Sequence, residues 1–347
     1  MQYSENLCTS DITVKDALKL LDKLKDKIVF IQNSEFEIIG TLTDGDVRRG
    51  LLKELDLGAN IMEFAQKEFS AIKQNDLTPN LLNDYRKKGI FLIPLLNSND
   101  KLVDIINLKE VKSYLPLDAI IMAGGLGSRL LPLTKNLPKP MLTLGNKPII
   151  EYNLDLLKSF GIKNVGISVR YLAEKIIEHY KNGEARGQKI NYIKEDEPLG
   201  TIGAAKLFTA YENEFVLIMN SDLLTNINLS DMFQELLDHD ADMIVACTEY
   251  KVNVPYGVVE TDQSVITGLK EKPTYTYYSN AGIYILKRSI LEQIPEKEHF
   301  NATDLIDTLI QKKQKIVNYP IRGYWLDIGK KQDFERAQID VEKINFN

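Results

Sequence analysis

Three glycines, Gly124, Gly125 and Gly127, follow the short apolar run Ala119–Met122 through Ala123. That run has the length of a strand and is too short for a helix. Glycines this close let the backbone turn tightly and bring bare N–H groups up to a ligand. Arg129 and Lys139 bracket the next segment, and Pro132, Pro138 and Pro140 keep it from becoming one long helix. Such a place suits anionic oxygens, because N–H dipoles cradle them and two fixed cations complete the neutralisation. Taken alone, the glycines fit equally well a strand-to-helix turn that needs them for its geometry. They form no Walker loop, since no Gly-Lys-Ser/Thr follows, and no G-x-G-x-x-G fingerprint, since Leu130 stands at the third glycine.

Two carboxylates stand in comparable settings. Asp222 comes where the buried-type strand Phe215–Met219 ends, and Asp327 follows an apolar segment in Gly-Tyr-Trp-Leu-Asp-Ile-Gly-Lys. Two carboxylates with phosphate oxygens and water make an octahedral oxygen site that suits Mg2+. Each taken singly is equally a turn or cap residue. The loop EDEPLGTIGA, beginning at Glu195, follows a strand and opens a helix. Gly200 and Thr201 there would show N–H and C=O groups to the edge of a flat ring, while an acidic helix N-terminus is the plainer reading. Tyr256-Gly257-Val258 and Glu271-Lys272-Pro273 complete the set, and as bare tripeptides they read as solvated surface. His179, His239 and His299 sit in polar surroundings, read as surface residues, and are assigned no chemistry.

The run G-G-x-G-x-R-L-x-P-L-T from Gly124, followed by P-K-P-M-L from Pro138, resembles the signature of sugar-phosphate nucleotidyltransferases, the enzymes that make NDP-sugars. The likeness is strong over residues 117–330 and implies roles for the rest. The Ala123–Gly127 backbone and Arg129 would hold the triphosphate of an NTP and the leaving pyrophosphate. Lys139 would neutralise charge near the α-phosphate, and Asp222 and Asp327 would share Mg2+. The loop E-x-P-L-G-T-x-G-A would recognise the base through Glu195, Gly200 and Thr201. Glu271 would accept from sugar hydroxyls, Lys272 would hold and aim the sugar's phosphate, and Gly257 beside Tyr256 would let backbone approach the sugar. Asn280, in Asn-Ala-Gly-Ile-Tyr-Ile-Leu, would reach the hexose.

The implied reaction joins a hexose 1-phosphate to an NTP. The sugar phosphate is already a competent nucleophile, so catalysis reduces to positioning and charge neutralisation. The arrangement looks closest to guanylyltransferases acting on glucosamine 1-phosphate or a close relative, as in legionaminic acid supply, with GTP as donor. UTP, dTTP or CTP with glucose 1-phosphate is the nearest alternative. An alternative of another class is a nucleotide-sensing regulator with an inactive transferase domain, against which the intact Arg129, Lys139, Asp222, Lys272 and Asp327 speak.

Strand and helix patterns alternate from Leu117 to Thr248. Helices are expected over Pro148–Phe160, Ala173–Tyr180, Gly203–Tyr211 and Ser230–His239, with strands over Val165–Val169, Ile190–Ile193, Phe215–Met219 and Met243–Thr248. This predicts an α/β, Rossmann-like, mainly parallel mixed sheet with ligands at the carboxyl ends of its strands. Short strands at Val258–Glu260, Ile266–Lys270 and Ile283–Leu286 are expected to form a mixed extension, followed by helices over Asn301–Ile310 and Asp333–Ile344. Asn228-Leu-Ser230 and Asn301-Ala-Thr303 match a glycosylation pattern but read better as capped helix starts.

The first 115 residues repeat themselves at about 64 residues. Helix, strand, strand and helix over Thr13–Leu24, Ile28–Ile31, Ile38–Leu42 and Asp46–Leu55 recur over Leu77–Arg86, Ile90–Leu95, Leu102–Ile106 and Lys109–Tyr114. The pattern resembles a tandem pair of CBS domains, an α+β module over 1–115 with regulatory or oligomerisation roles, ahead of a catalytic domain over 117–347. In that family Thr43 and Asp46 of Gly-Thr-Leu-Thr-Asp-Gly-Asp would touch the phosphate and ribose of an adenine or guanine nucleotide. The same two residues equally cap the following helix. The second half carries Asp104, Asn107 and Glu110 at the equivalent positions, which leaves at most one such site.

The 347 residues carry a net charge of −6 and 44% hydrophobic residues, which fits a soluble globular chain and argues against bulk nucleic-acid binding. A phosphate-rich substrate therefore needs locally placed cations or a metal. The polar N-terminus has no signal-peptide pattern, and no apolar run is long enough to span a bilayer. Cys8 and Cys247 read as free thiols of a reducing compartment. The expectation is a cytoplasmic homo-oligomer, a dimer or higher, with no membrane partner.

Overall fold

The computed structural model describes residues 4–344 and Phe346. The chain divides into two compact units, Met1–Tyr114 and Leu115–Asn347. In the first, β1 (Leu7–Thr9), β2 (Ile28–Gln32) and β3 (Ile38–Thr43) form one sheet, and β4 (Ile72–Lys73), β5 (Leu92–Leu96) and β6 (Leu102–Asn107) form another. Both sheets pair their first two strands parallel and their last two antiparallel. Ile28 corresponds to Leu92 and Ile38 to Leu102, so the repeat read from the sequence is a repeat of topology.

Helices α1 (Val14–Lys23) and α3 (Pro79–Lys87) precede the paired strands, each capped by a threonine, Thr13 or Thr78. The second helix of the first half, α2, spans Asp44–Leu51, starting and stopping earlier than expected. Its counterpart over Lys109–Tyr114 does not form. Asn107 accepts from the Lys109 N–H at 3.0 Å and turns the chain, and Arg86 donates to the carbonyls of Leu108, Val111 and Lys112, which a helix would otherwise have used.

The second unit is built on seven strands in the order β11–β10–β7–β12–β17–β14–β18. They are β7 (Leu117–Met122), β10 (Asn164–Val169), β11 (Lys189–Lys194), β12 (Phe215–Asn220), β14 (Met243–Asn253), β17 (Thr274–Lys287) and β18 (Ile316–Pro320). All run one way except β17, which is antiparallel to both neighbours. The short strands anticipated after Thr248 are thus partly wrong. One of them, β17, is 14 residues long and lies inside the main sheet. Only β15 (Val258–Asp262) and β16 (Val265–Lys270) form a separate two-stranded extension.

Burial on both faces explains the uniformly apolar strands. Ala119 and Ile121 of β7 enter one core cluster and Ile120 the opposite one, all fully buried. Each such isoleucine contributes roughly 2–3 kcal/mol of transfer free energy. Helices α4 (Ile149–Ser159), α5 (Ala173–Tyr180), α6 (Leu229–Asp238) and α7 (Ala302–Gln311) cover the sheet, and α8 (Lys331–Lys343) closes the chain. Asn228 caps α6 and Asn301 caps α7, as the helix-start reading requires. The helix expected over Gly203–Tyr211 is only a 3-10 turn, Gly203–Leu207, which ends where Phe208 turns extended and the Tyr211 hydroxyl takes the Ala205 carbonyl at 3.0 Å.

At the amino end of the sheet, the fully buried Asp118 accepts from Asn164, from the N–H groups of Glu212 and Asn213, and from the Asn213 amide, at 2.8–3.0 Å. That closed network fixes the entry to β12. The opposite end of the sheet is left open. Short strands β8 (Thr143–Leu144) with β9 (Lys147–Pro148), and β13 (Leu223–Thr225) with β19 (Trp325–Asp327), flank it. Cys8 and Cys247 are buried and free. No helix among the described residues is long and apolar enough to cross a membrane.

Candidate active site

A cleft of about 430 Å³ lies where β7, β10, β11 and β12 end. β7 enters it through Ala123, which is buried and whose N–H donates to Ser168 O at 3.0 Å, so Ala123 supports the wall without facing the opening. Gly124, Gly125 and Gly127 line the cleft. At Gly124 a Cβ would run into the Glu195 carboxylate, whereas at Gly125 it would meet nothing. Gly127 has φ +63°, and a Cβ there would lie 2.9 Å from the Cβ of Lys139. The turn therefore needs glycine for close packing against two other candidates, and it carries no side chain that could shield its N–H groups.

Lys139 sits on a 3-10 turn, Lys139–Met141, 9% exposed, and ion-pairs with Oδ2 of Asp222. Asp222 and Asp327 converge through the β13–β19 ladder. Leu223 stands opposite Asp327, and the Ile328 N–H donates to Asp222 O at 3.0 Å. Oδ1 of each carboxylate is buried with no hydrogen-bond partner among the described residues. Burial, and then the charge of Asp222, push the Asp327 carboxyl above its ordinary range, with Lys139 and Arg129 opposing. Arg129 is exposed and reaches over the ladder, since a Cβ at Gly329 would lie 3.6 Å from both its guanidinium and Asp327 Oδ1.

On the other side of the glycine turn, Glu195 leaves β11 and is buried. Its carboxylate accepts from the Ser168 hydroxyl and, at 3.2 Å, from the Leu199 N–H. Gly200, at φ +79°, passes so near Phe300 that a Cβ would lie 2.5 Å from the Phe300 carbonyl. Thr201 is less open than its sequence position implied. Its N–H donates to Asn301 at 3.3 Å and its hydroxyl accepts from the Ala302 N–H at 2.9 Å, which fastens the loop to the start of α7.

The remaining candidates lie outside the lining of this cleft. Gly257 and Glu271 do meet, a Cβ at Gly257 coming within 3.1 Å of the carboxylate. Tyr256 is 75% exposed, and Lys272 is exposed at φ +43°. Asn280 is exposed near the start of the buried part of β17, its side-chain carbonyl accepting from the Gly282 N–H at 2.9 Å and from the Tyr284 hydroxyl at 3.0 Å. Ile283, three residues on, pairs with Met219, which puts Asn280 at the edge where Asp222 emerges. Trp325 packs as a wall residue, its indole donating to Ala281 O at 2.9 Å.

Sequence reasoning missed Arg170, Asn220, Ser221 and Gly329, and it set His299 aside, yet all five line the cleft. Arg170, Asn220 and Ser221 stand one or two positions beyond segments already recognised as strands, and an Arg or Asn there carries no signal of its own. In the first unit, Thr43 and Asp46 close a capping box. Asp46 accepts from the Thr43 N–H at 2.9 Å, the Thr43 hydroxyl at 2.6 Å, Arg49 at 2.5 Å and Gln66 at 3.0 Å, so its carboxylate is occupied as a cap.

Residues 118–344 match the family model described as "Nucleotidyl transferase". The chain belongs to the nucleotidyl transferase family. This member is 36% identical, over 65% of its length and 99% of the relative's, to the D-glycero-alpha-D-manno-heptose 1-phosphate guanylyltransferase of Aneurinibacillus thermoaerophilus. It is 31% identical to the mannose-1-phosphate guanyltransferase of Pichia angusta, of which it spans only 62% while 63% of its own length is matched. Among solved structures, HddC from Yersinia pseudotuberculosis complexed with GMP-PN superposes with a TM-score of 0.51 at 28% identity, covering 65% of this chain and 99% of that one. A putative glucose-1-phosphate thymidylyltransferase from Bacillus anthracis shares the fold at 23% identity and a TM-score of 0.54, over 67% of this chain and 97% of that one. The sheet carrying the cleft is thus the nucleotidyl transferase fold, and the N-terminal unit lies outside the matched residues.

Proposed function

We propose that this nucleotidyl transferase moves a guanylyl group from GTP to a hexose 1-phosphate or a related sugar 1-phosphate and releases pyrophosphate. The observation that carries the reading is the convergence of Asp222, Asp327 and Lys139 beside a bare glycine turn. GTP as donor is supported by the relatives, two of which are named guanylyl- or guanyltransferases.

The donor set fits a hard divalent cation. Two buried, unpartnered carboxylate oxygens on paired strands offer oxygen ligands only. No group of three or more His, Cys, Asp or Glu side chains among the described residues could enclose a metal, so water and phosphate oxygens would complete the shell. Mg2+ held by Asp222 and Asp327 would supply positive charge where the two phosphates meet. The chain's own groups do the rest. N–H groups of the glycine turn and the Arg129 guanidinium hold the β- and γ-phosphates, and Lys139 faces the α-phosphate. Glu195 accepts from the N1–H and N2 amino group of guanine. Lys272 and Glu271 orient the sugar phosphate, one oxygen of which forms the new bond to the α-phosphorus. The bond to the bridging oxygen breaks in line, and pyrophosphate leaves with its electron pair.

Pyrophosphate release is measured for GTP, ATP, UTP, CTP and dTTP against glucosamine, mannose, glucose and heptose 1-phosphates, with and without Mg2+. GTP should be preferred and Mg2+ required. Preference for a pyrimidine nucleotide would overturn the guanine assignment, and no release with any pair would leave a nucleotide-binding regulator.

A further inference from the structure

Arg170 takes no part in the transfer chemistry itself. It follows β10 directly and lines the cleft at the carboxyl end of the sheet. Its side chain is half-buried, and its Nε is buried with no hydrogen-bond partner among the described residues. A guanidinium N–H in that position costs free energy unless something accepts from it.

Glu195 stands at the exit of the adjacent strand. β10 and β11 pair in parallel, Val169 opposite Lys194, and strand exits lie about 5 Å apart. No ion pair joins Arg170 to Glu195, although both line one cleft. The carboxylate is held instead by the Ser168 hydroxyl and the Leu199 N–H. Each carboxylate oxygen retains a further lone pair. The wall therefore presents acceptors and, one strand over, an unmatched donor.

We propose that Arg170 is a base-reading residue: its guanidinium donates to O6 of guanine while Glu195 takes N1–H and the N2 amino group. The inference rests on the GTP reading above and deepens it. Guanine alone among the common bases shows donor, donor and acceptor in a row on one edge. Adenine and cytosine carry an amino group in place of O6, which would meet the guanidinium donor to donor. Uracil keeps the carbonyl and one N–H but lacks the second donor, so part of the Glu195 carboxylate would go unmatched.

The sheet order decides between base and phosphate. Asp222 leaves β12, the glycine turn leaves β7, and Arg170 leaves β10, on the Glu195 side. Arg170 is two strands, about 10 Å, from Asp222. A nucleotide with its phosphates at the glycine turn and the acid pair has its base beside β10 and β11.

The donor panel on the parent protein comes first. Failure to prefer GTP there removes the guanine reading and this proposal together. With GTP preferred, Arg170→Met should lower kcat/KM for GTP about 10- to 100-fold and narrow the GTP-over-ATP ratio by the same factor. The KM for the sugar 1-phosphate, taken at saturating GTP, should stay put. On the unaltered protein, 6-thio-GTP, whose sulfur is a weaker acceptor, should lose about 10-fold against GTP; in Arg170→Met that loss should vanish. ITP, which keeps O6 and lacks the N2 amino group, should show the same ratio to GTP in parent and variant. Equal losses for every nucleotide, an unchanged GTP-over-ATP ratio, or a parent that accepts 6-thio-GTP as readily as GTP would each overturn the assignment while leaving the GTP reading in place.

Discussion

Lys139 and Asp222 are ion-paired within the cleft although 83 positions separate them in sequence. The lysine also opposes the upward shift of the neighbouring Asp327 carboxyl, favouring its charged form. Lys139→Met removes the cation paired with Asp222 and leaves that half-buried carboxylate without its counter-charge. Turnover should fall about 10²-fold, which corresponds to roughly 3 kcal/mol at the barrier. Steady-state pyrophosphate release measures it, and a rate within a few-fold of the parent would contradict the role given to Lys139.

The acid pair makes a second prediction with two readouts. Asp327→Asn should raise the Mg2+ concentration for half-maximal rate by at least about 10-fold, and chelation of Mg2+ should stop the parent enzyme. Without Mg2+ the same substitution should stabilise. The Asp327 carboxyl titrates above its unfolded value, chiefly through burial and then through Asp222. A raised acid is favoured protonated in the fold, so the ionised form weakens the native state as pH climbs from the unfolded to the folded pKa. Metal-free Asp327→Asn should therefore melt higher than the parent at neutral pH, with the difference closing at acid pH. A lower melting temperature at neutral pH would count against the pairing.

Two neighbouring glycines separate packing from ligand approach. Gly124→Ala pushes a methyl group into the Glu195 carboxylate and should cost about 1–3 kcal/mol of stability as well as nucleotide affinity. Gly125→Ala enters open space and should leave the melting temperature nearly unchanged. It should still raise the KM for the nucleotide about 10-fold, because the turn would no longer present bare backbone. Unaltered nucleotide KM in Gly125→Ala would place the triphosphate elsewhere.

In the first unit, Asp46→Ala should destabilise without touching catalysis directly. Burial raises this carboxyl, but hydrogen bonds from Thr43, Gln66 and Arg49 outweigh it, and the group titrates below the 3.8 of a free aspartate. A depressed acid stabilises the fold at all pH above the unfolded value, and that gain is lost as pH falls through the folded one. The variant should lose about 1–2 kcal/mol at neutral pH, with the gap to the parent shrinking in acid. Acid titration by circular dichroism tests this.

Much of the architecture was legible because both faces of the main sheet are buried. Strands such as Val165–Val169 and Phe215–Met219 read as unbroken apolar runs and were misjudged by one residue at most at either end. The outer part of β17 was not legible. Tyr275, Tyr277 and the adjacent Tyr278 break any alternation and lie mostly in solvent, so no core pattern marks the strand before Ala281. The helix expected after Gly203 stops at Leu207, where Phe208 turns extended and the Tyr211 hydroxyl occupies the Ala205 carbonyl. In the site, the glycine turn carried its own signal. The meeting of Asp222 with Asp327 did not, because it depends on a three-residue ladder between segments distant in the chain. Arg170 was overlooked because a charged residue at a strand end looks like any solvated side chain.

The placement of β17 and β19 has a bearing on synthesis. A ribosome delivers the glycine turn, Lys139, Glu195 and Asp222 well before it delivers Thr274, yet β12 gains its second neighbour only from β17. The second carboxylate arrives later still, on β19, 105 positions after the first. The acid pair therefore stays incomplete until β19 has been made, and a product terminated before it carries the glycine turn, Lys139 and Asp222 without their partner Asp327.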